Sequence, residues 1–304
     1  MITLKGENIQ MPVPCVLAMG KFESIHLGHR ALIGEMVRMA SKSSLVSALV
    51  VFEPHPYRVL SNSGYKPLLA SHEREHLLAG LGVDYLLEYP FDADFAALSP
   101  FNFCRKLYED LQARFIIVGE GYRFGHKRAG TADTLRQTAM KYNAQIYEVA
   151  PIGGASKIST STIRSLLSDN NLLQAENLLG YPFFIMGETT PGQRLGRTIG
   201  FPTINLYPPD EKFLLTDGVY ATRTFLDGCA YKGVTNIGLR PTVAGHGAVR
   251  SVETHLLDYV NSIDEELYGK HIRTEFLRFI RPEQRFENIE ALKAQIQKDC
   301  MWKH

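Results

Sequence analysis

The residues between Gly192 and Asn205 hold the densest phosphate chemistry in the chain. Gly192, Gly196 and Gly200 recur every four residues, which lets a backbone approach a ligand closely and take a positive φ where a turn needs one. Arg194 and Arg197 stand between them, and a guanidinium offers a fork of donors matched to phosphate oxygens. Thr203 and Asn205 then fall on one face of a predicted strand and supply two neutral oxygens suited to a hard cation such as Mg²⁺. Neither G-x-x-x-x-G-K-[ST] nor G-x-G-x-x-G occurs here. The segment reads as a nucleotide-phosphate loop outside both of those types, with a turn-rich hairpin as the plain alternative.

The front half carries a second set. Gly20, Phe22, His26, Gly28 and His29 follow an apolar run and open a helical pattern, where an open α/β sheet presents phosphate to a helix N-terminus. His26 and His29 can donate hydrogen bonds to an α-phosphate as negative charge builds on it. Their spacing is not that of a helical metal pair at i, i+4, and surface or capping histidines are the alternative. Ser159, Ser161 and Arg164 mark another helix start, able to hold β- and γ-phosphates or simply to cap that helix. Phe52–Pro56 stiffens the loop after the second strand. Gly119–Gly125 brings Tyr122 and Phe124 into a glycine-rich loop, suited either to folding over a flat ring or to pinning the loop to the body.

Two periodicities must position these groups. Cys15–Met19, Val46–Phe52, Tyr85–Tyr89, Phe115–Val118 and Ile146–Ala150 are short apolar runs of the kind buried in a parallel sheet. Helical patterns at Arg30–Ala40, Glu73–Gly80, Pro100–Leu111 and Thr134–Tyr142 alternate with them, which predicts a doubly wound α/β domain. Ser99 before Pro100, and Ser71 before two acids, mark helix starts. Gly180 reads as a helix C-cap, and the pattern changes there. Tyr220–Phe225 and Tyr231–Asn236 flank the hairpin pair Asp227-Gly228. Val252–Tyr259 and Arg273–Phe279 also read as strands, and an amphipathic helix over Ile289–Lys298 follows them. The expectation is a division into residues 1–180 and 181–304, the second part β-rich.

With 304 residues, 45% apolar and 21% charged, the chain is natural for two globular domains. A net charge of +1 gives no global pull toward nucleic acid or anionic lipid, so neither partner is expected. The first residues show no basic-then-apolar signal pattern, and no stretch approaches 18 apolar residues. Cys15, Cys104, Cys229 and Cys300 form no C-x-x-C pair, so a reducing cytoplasm is the expected home. Self-association is left open.

The Gly192–Asn205 segment resembles the nucleotide loop of bacterial flavokinases, G-x-x-x-G-R-x-x-G-F-P-T-x-N. Asp217–Ala221, Gly233–Thr242, Val252–His255, Leu267–Lys270 and Phe279–Arg281 continue that resemblance over about residues 183–300. Over residues 15–168 the chain is similar to the adenylyltransferase half of the bifunctional riboflavin kinase/FAD synthetase family, whose patterns are G-x-F-D-G-V-H-x-G-H, F-x-P-H-P, G-x-[DN]-F-x-F-G and S-S-T-x-I-R. Departures from it include Glu23-Ser24 in place of Asp-Gly, Gly121 in place of Asp or Asn, and Ser159-Thr160-Ser161 in place of Ser-Ser-Thr. The resemblance implies a Rossmann-like nucleotidyltransferase domain followed by a six-stranded antiparallel β-barrel flavokinase domain with a C-terminal helix. It implies riboflavin, FMN and ATP as substrates, FAD as a product, and Mg²⁺ with ATP. Glu253 is then the catalytic base, Thr203 and Asn205 the metal and phosphate ligands, and Tyr122, Phe124 and Arg281 flavin contacts. A kinase with a degenerate front domain and a flavin-sensing regulator are the alternatives.

Overall fold

The apolar runs of the front half become one sheet. The computed structural model describes residues 1–61, 64–152, 158–191, 195–241, 248–257, 259 and 267–302. They form two compact units, Met1–Thr160 and Ser161–His304. In the first, the order is β1 (Ile2–Lys5), β2 (Cys15–Met19), α1 (Leu27–Ser43), β3 (Val46–Glu53), α2 (Pro56–Ser61), α3 (Ser71–Gly80), β4 (Tyr85–Pro90), α4 (Ala93–Ala96), α5 (Pro100–Arg105), β5 (Ala113–Gly119), α6 (Ala132–Ala139) and β6 (Gln145–Val149). The strands lie side by side as β1-β4-β3-β2-β5-β6. Every pairing is parallel.

Central β2 is buried at every position, as a strand covered on both faces must be. Leu17, Ile116, Val50 and Leu135 belong to its core, each such side chain contributing about 1.5–3 kcal/mol by leaving water. Chain order reverses on the two sides of β2: β3 lies on one flank and β5 on the other. The crevice at the carboxyl ends of β2 and β5 is therefore the switch point where such sheets bind ligands. The two loops singled out in the sequence, after Met19 and after Gly119, leave the sheet there.

Ser99 caps α5 as expected, accepting from Asn102 N–H at 3.2 Å with Pro100 in the first turn. The helix predicted to reach Leu111 is α-helical to Arg105 and continues as one π-helical turn, Lys106–Asp110. Ser71 begins α3 rather than capping it; Ala70 precedes the helix, and its N–H is taken by the Glu73 carboxylate at 2.8 Å.

From Thr160 the order is α7 (Thr160–Ser168), α8 (Leu172–Leu179), β7 (Phe184–Glu188), α9 (Leu195–Thr198), β8 (Ile204–Leu206), β9 (Gly218–Leu226), β10 (Cys229–Pro241), β11 (Ala248–Leu256), β12 (His271–Arg281) and α10 (Ile289–Cys300). Gly180 closes α8 with φ 79°, the left-handed cap read from the sequence. Six antiparallel strands run β7-β12-β9-β10-β11-β8. Thr190, just past β7, donates its N–H to Asn205 O of β8 at 2.9 Å, so the sheet is nearly closed into a barrel. Asp227 and Gly228, at φ 47° and 81°, make the β9–β10 turn.

One face of this sheet is filled by Tyr220, Ile237, Val252 and Phe276. Threonines share it. Thr222, Thr235 and Thr254 join hydroxyl to hydroxyl at 2.8 and 2.9 Å, and Thr224 meets Thr274 at 3.0 Å. Each buried hydroxyl thus finds its partner on another strand. At the end of β12, Arg281 fastens α10 through a two-oxygen ion pair with buried Asp299, at 2.8–3.1 Å.

Candidate functional site

Beyond Gly20, the loop leaving β2 turns sharply. Phe22 and Ile25 both take φ 41°, the left-handed region, and both side chains are fully buried, so packing offsets about 1–2 kcal/mol of strain at each. Ser24, in the place of the family's glycine, is not a positive-φ position. Its hydroxyl instead meets Thr160 Oγ1 at 3.0 Å, tying the loop to the Ser159-Thr160-Ser161 run. Glu23 is buried, and its carbonyl accepts from Leu69 N–H at 3.2 Å.

His26 caps α1: its Nδ1 accepts the His29 N–H at 3.2 Å. A ring nitrogen that accepts carries no proton, so neutral His26 presents Nε2–H as a donor. Gly28 lies flat against this ring; an added Cβ would stand 3.1 Å from its Cε1. The His26 and His29 rings stack with centroids 3.8 Å apart, and Phe22 tilts onto His29 at 5.1 Å. His29 Nδ1 is buried with no hydrogen-bond partner among the described residues. Burial pushes His26 down to about 4, against an opposing backbone hydrogen bond. Burial, helped by the His26 neighbour, holds His29 well below the ordinary histidine range. Both imidazoles are neutral at pH 7 and donate without needing a proton from solution.

The unfolded chain protonates His26 near 6.5 and the folded chain only near 4, so the folded state is fully favoured above 6.5 and loses ground as pH falls toward 4, by about 3 kcal/mol at most. His26→Asn keeps an acceptor for the His29 N–H and removes the titration. Its melting temperature should drop less between pH 7 and pH 4.5 than that of the wild type, as read by thermal unfolding.

Ser159 is half-buried ahead of α7, and Ser161 is exposed in its first turn. The Arg164 guanidinium lies over the Phe213 ring, 5.0 Å from its centroid. After β5, Phe124 is packed into the core, with Phe103 at 5.3 Å and Tyr122 stacked on it at 5.9 Å. The pinning role of these aromatics is therefore realised. Gly121 has φ +73° with nothing within 4 Å of where a Cβ would sit.

The second site lies on the barrel face opposite Thr235 and Ile237. Glu253 of β11 is directly paired with Asn205 of β8 on one side and Asn236 of β10 on the other. Directly opposed residues share a face with Cβ atoms about 4.5–5.5 Å apart, so the amide, the carboxylate and the second amide form one row. Asn205 is 2% and Glu253 9% exposed, buried enough for their charges and dipoles to act strongly on a ligand. Ser251, also on this face, donates to Glu253 Oε1 at 3.1 Å. Thr203, half-buried, immediately precedes β8.

Gly196 lies in α9. Its carbonyl takes the Phe201 N–H at 2.8 Å and the Ile199 N–H at 3.3 Å, folding the loop back on itself. Gly200, inside that turn, has φ +87°. Gly192 and Arg194 lie outside the described residues, as does the side chain of Arg197. Ser251 and His255 were missed in the sequence; their place at two residues either side of Glu253, hence on its face, was the available signal. Arg281, expected at the flavin, is engaged by Asp299.

A parallel sheet with a histidine-bearing helix start at its switch point, and a barrel with a carboxylate between two amides beside a glycine loop, define a nucleotidyltransferase-type domain joined to a kinase-type domain. Residues 8–163 match the FAD synthetase family and residues 179–303 the riboflavin kinase family. The chain is 40% identical to the bifunctional riboflavin kinase/FMN adenylyltransferase of Escherichia coli K12 over 290 residues, 94% of this chain and 90% of that one. It is 33% identical to the protein of the same name from Listeria monocytogenes, over 93% of this chain and 90% of that one. A solved structure from Streptococcus pneumoniae, called a macrolide-efflux protein, matches with TM-score 0.84 and 28% identity over 98% of this chain and 97% of that one. Among the described residues no helix is long and apolar enough to cross a membrane. The chain belongs to the bifunctional riboflavin kinase/FMN adenylyltransferase family.

Proposed function

We propose that the two sites carry out successive steps on one flavin, the barrel as far forward as residue 181 making FMN and the body up to residue 180 making FAD. The chain phosphorylates riboflavin with ATP and adenylylates the resulting FMN. In the barrel, the riboflavin 5′-hydroxyl attacks the γ-phosphorus of ATP, the bond to the β-bridging oxygen breaks, and ADP leaves. Glu253 takes the hydroxyl proton. Gly192, Gly196, Arg197 and Gly200 cradle the phosphates. Thr203 and Asn205 offer the neutral oxygen donors that suit Mg²⁺, which neutralises phosphate charge when bound. The observation that carries this reading is the row Asn205, Glu253, Asn236 in directly paired positions on one face.

In the front domain, a phosphate oxygen of FMN attacks the α-phosphorus of ATP and pyrophosphate leaves. Gly20, Phe22 and Gly28 shape the loop, while neutral His26 and His29 donate to the α-phosphate as its charge grows. Ser159, Ser161 and Arg164 hold the outer phosphates. Tyr122, Phe124 and Arg281 contact the flavin, Arg281 from its ion pair with Asp299. The ligands are small molecules, nucleic acid is not among them, and the setting is the cytoplasm. Purified protein given riboflavin, ATP and Mg²⁺ should yield both FMN and FAD on chromatography. His29→Ala should stop at FMN, with FAD formation down by about 10²–10³-fold.

Gly121 favours one alternative, a kinase whose front domain no longer adenylylates. The family's Asp or Asn at this position suits the left-handed φ that Gly121 adopts, since these two tolerate it better than other side chains. Gly121→Asn therefore meets open space with less left-handed strain than another side chain would bring, and it restores a polar group, so FAD formation should rise several-fold. An unchanged rate in Gly121→Asn, with no FAD from the wild type at millimolar ATP, would establish the monofunctional kinase.

A further inference from the structure

β8 is only three residues long, and its register with β11 runs Leu206 to Val252, Asn205 to Glu253 and Ile204 to Thr254. One step further would set Thr203 opposite His255, but the strand has ended there. A side chain takes over where the ladder stops. His255 Nδ1 lies 2.8 Å from Pro202 O, and its ring meets Phe201 edge-on at 5.4 Å. A carbonyl only accepts, so Nδ1 carries the proton and donates. Phe201 in turn gives its N–H to Gly196 O at 2.8 Å. His255, two residues from Glu253 on the same strand and face, thus holds the loop that ends in Thr203.

We propose that His255 is a positioning residue for the kinase step: it sets the glycine loop and Thr203 in register with the base two residues away. The proposal rests on the reading that Thr203 and Asn205 hold the ATP phosphates with their metal. Without the ring, the pairing that remains between this segment and β11 among the described residues is that of the three-residue strand β8. ATP would be held loosely against Glu253, while the flavin's own contacts would stay.

The full chain is assayed for FMN formation, with Mg·ATP and riboflavin varied separately, riboflavin affinity by flavin fluorescence, and FAD formation from FMN in the same preparations. His255→Ala should raise the KM for Mg·ATP about tenfold, a loss equivalent to one hydrogen bond. Riboflavin affinity should stay within about twofold by the same reasoning that its contacts are untouched. His255→Asn places an amide N–H near the Nδ1 position and should bring the KM back to within about threefold, whereas His255→Gln, whose amide falls near Nε2, should behave like the alanine variant. Equal behaviour of the Asn and Gln variants, or an unchanged KM for Mg·ATP in His255→Ala, overturns the proposal. Thr203→Ala separates the two levels. If it leaves the KM for Mg·ATP unchanged, the phosphate-loop reading itself falls. If it raises that KM while His255→Ala does not, only the role of His255 falls.

Discussion

Glu253→Gln is expected to lower FMN formation by about 10²–10⁴-fold, the usual cost of removing a general base. The amide has the carboxylate's shape, so it keeps the row with Asn205 and Asn236 and can still accept from Ser251 Oγ, which donates to Glu253 Oε1 in the wild type. Substrate binding should therefore change by only a few-fold. FAD formation from added FMN should continue at the wild-type rate, because the front domain has its own donors in His26 and His29. A variant that turned riboflavin over at near wild-type rate would show that the hydroxyl proton goes elsewhere.

Gly196→Ala should be nearly as damaging, for a steric reason. A Cβ at this position would stand 2.3 Å from Phe201 O and 3.3 Å from Phe201 C. Both atoms are backbone, so no rotamer change relieves the clash. The loop must open, and the Phe201 and Ile199 N–H bonds to Gly196 O are lost with it. Displacing a phosphate-binding loop by about 1 Å costs on the order of 10²-fold in rate. FMN formation should fall by at least that much. The circular dichroism spectrum and FAD formation should be unaffected, since the clash lies in a surface turn of the barrel unit.

The parallel sheet was legible because its inner strands are buried on both faces and so read as unbroken apolar runs, β2 most plainly. β1, β7 and β8 were not. Three to five residues at a sheet edge leave too few alternations to stand out, and β8 owes its place to Thr190 and β11 rather than to its own pattern. Glu253 alternates with Val252 and Thr254 as any half-buried strand would, so its neighbours in the motif identified it and periodicity did not. Its pairing with Asn205, some fifty positions away in sequence, is a matter of register, which no local pattern encodes. The engagement of Arg281 by Asp299 was hidden for the same reason. Tyr122 and Phe124 show a different limit: an aromatic that packs a loop and one that faces a ring ligand have the same spacing and chemistry.

The threonine contacts inside the barrel act as an alignment check on the chemistry outside it. Were β11 to slip by one residue against β10, every side chain would change face, and Glu253 would be driven inside. A core of leucine and isoleucine would penalise such a slip only through imperfect packing. Here the slip would also carry Thr254 to the outer face and break its hydroxyl contact with Thr235, at about 0.5–1.5 kcal/mol for the hydrogen bond lost. The bond from Thr222 to Thr235 imposes the same demand between β9 and β10. Fidelity of the strand pairing that sets Glu253 between Asn205 and Asn236 is thus enforced from the other side of the sheet. Valine, equal in shape to threonine, would pack as well but would not add this hydroxyl check on the register.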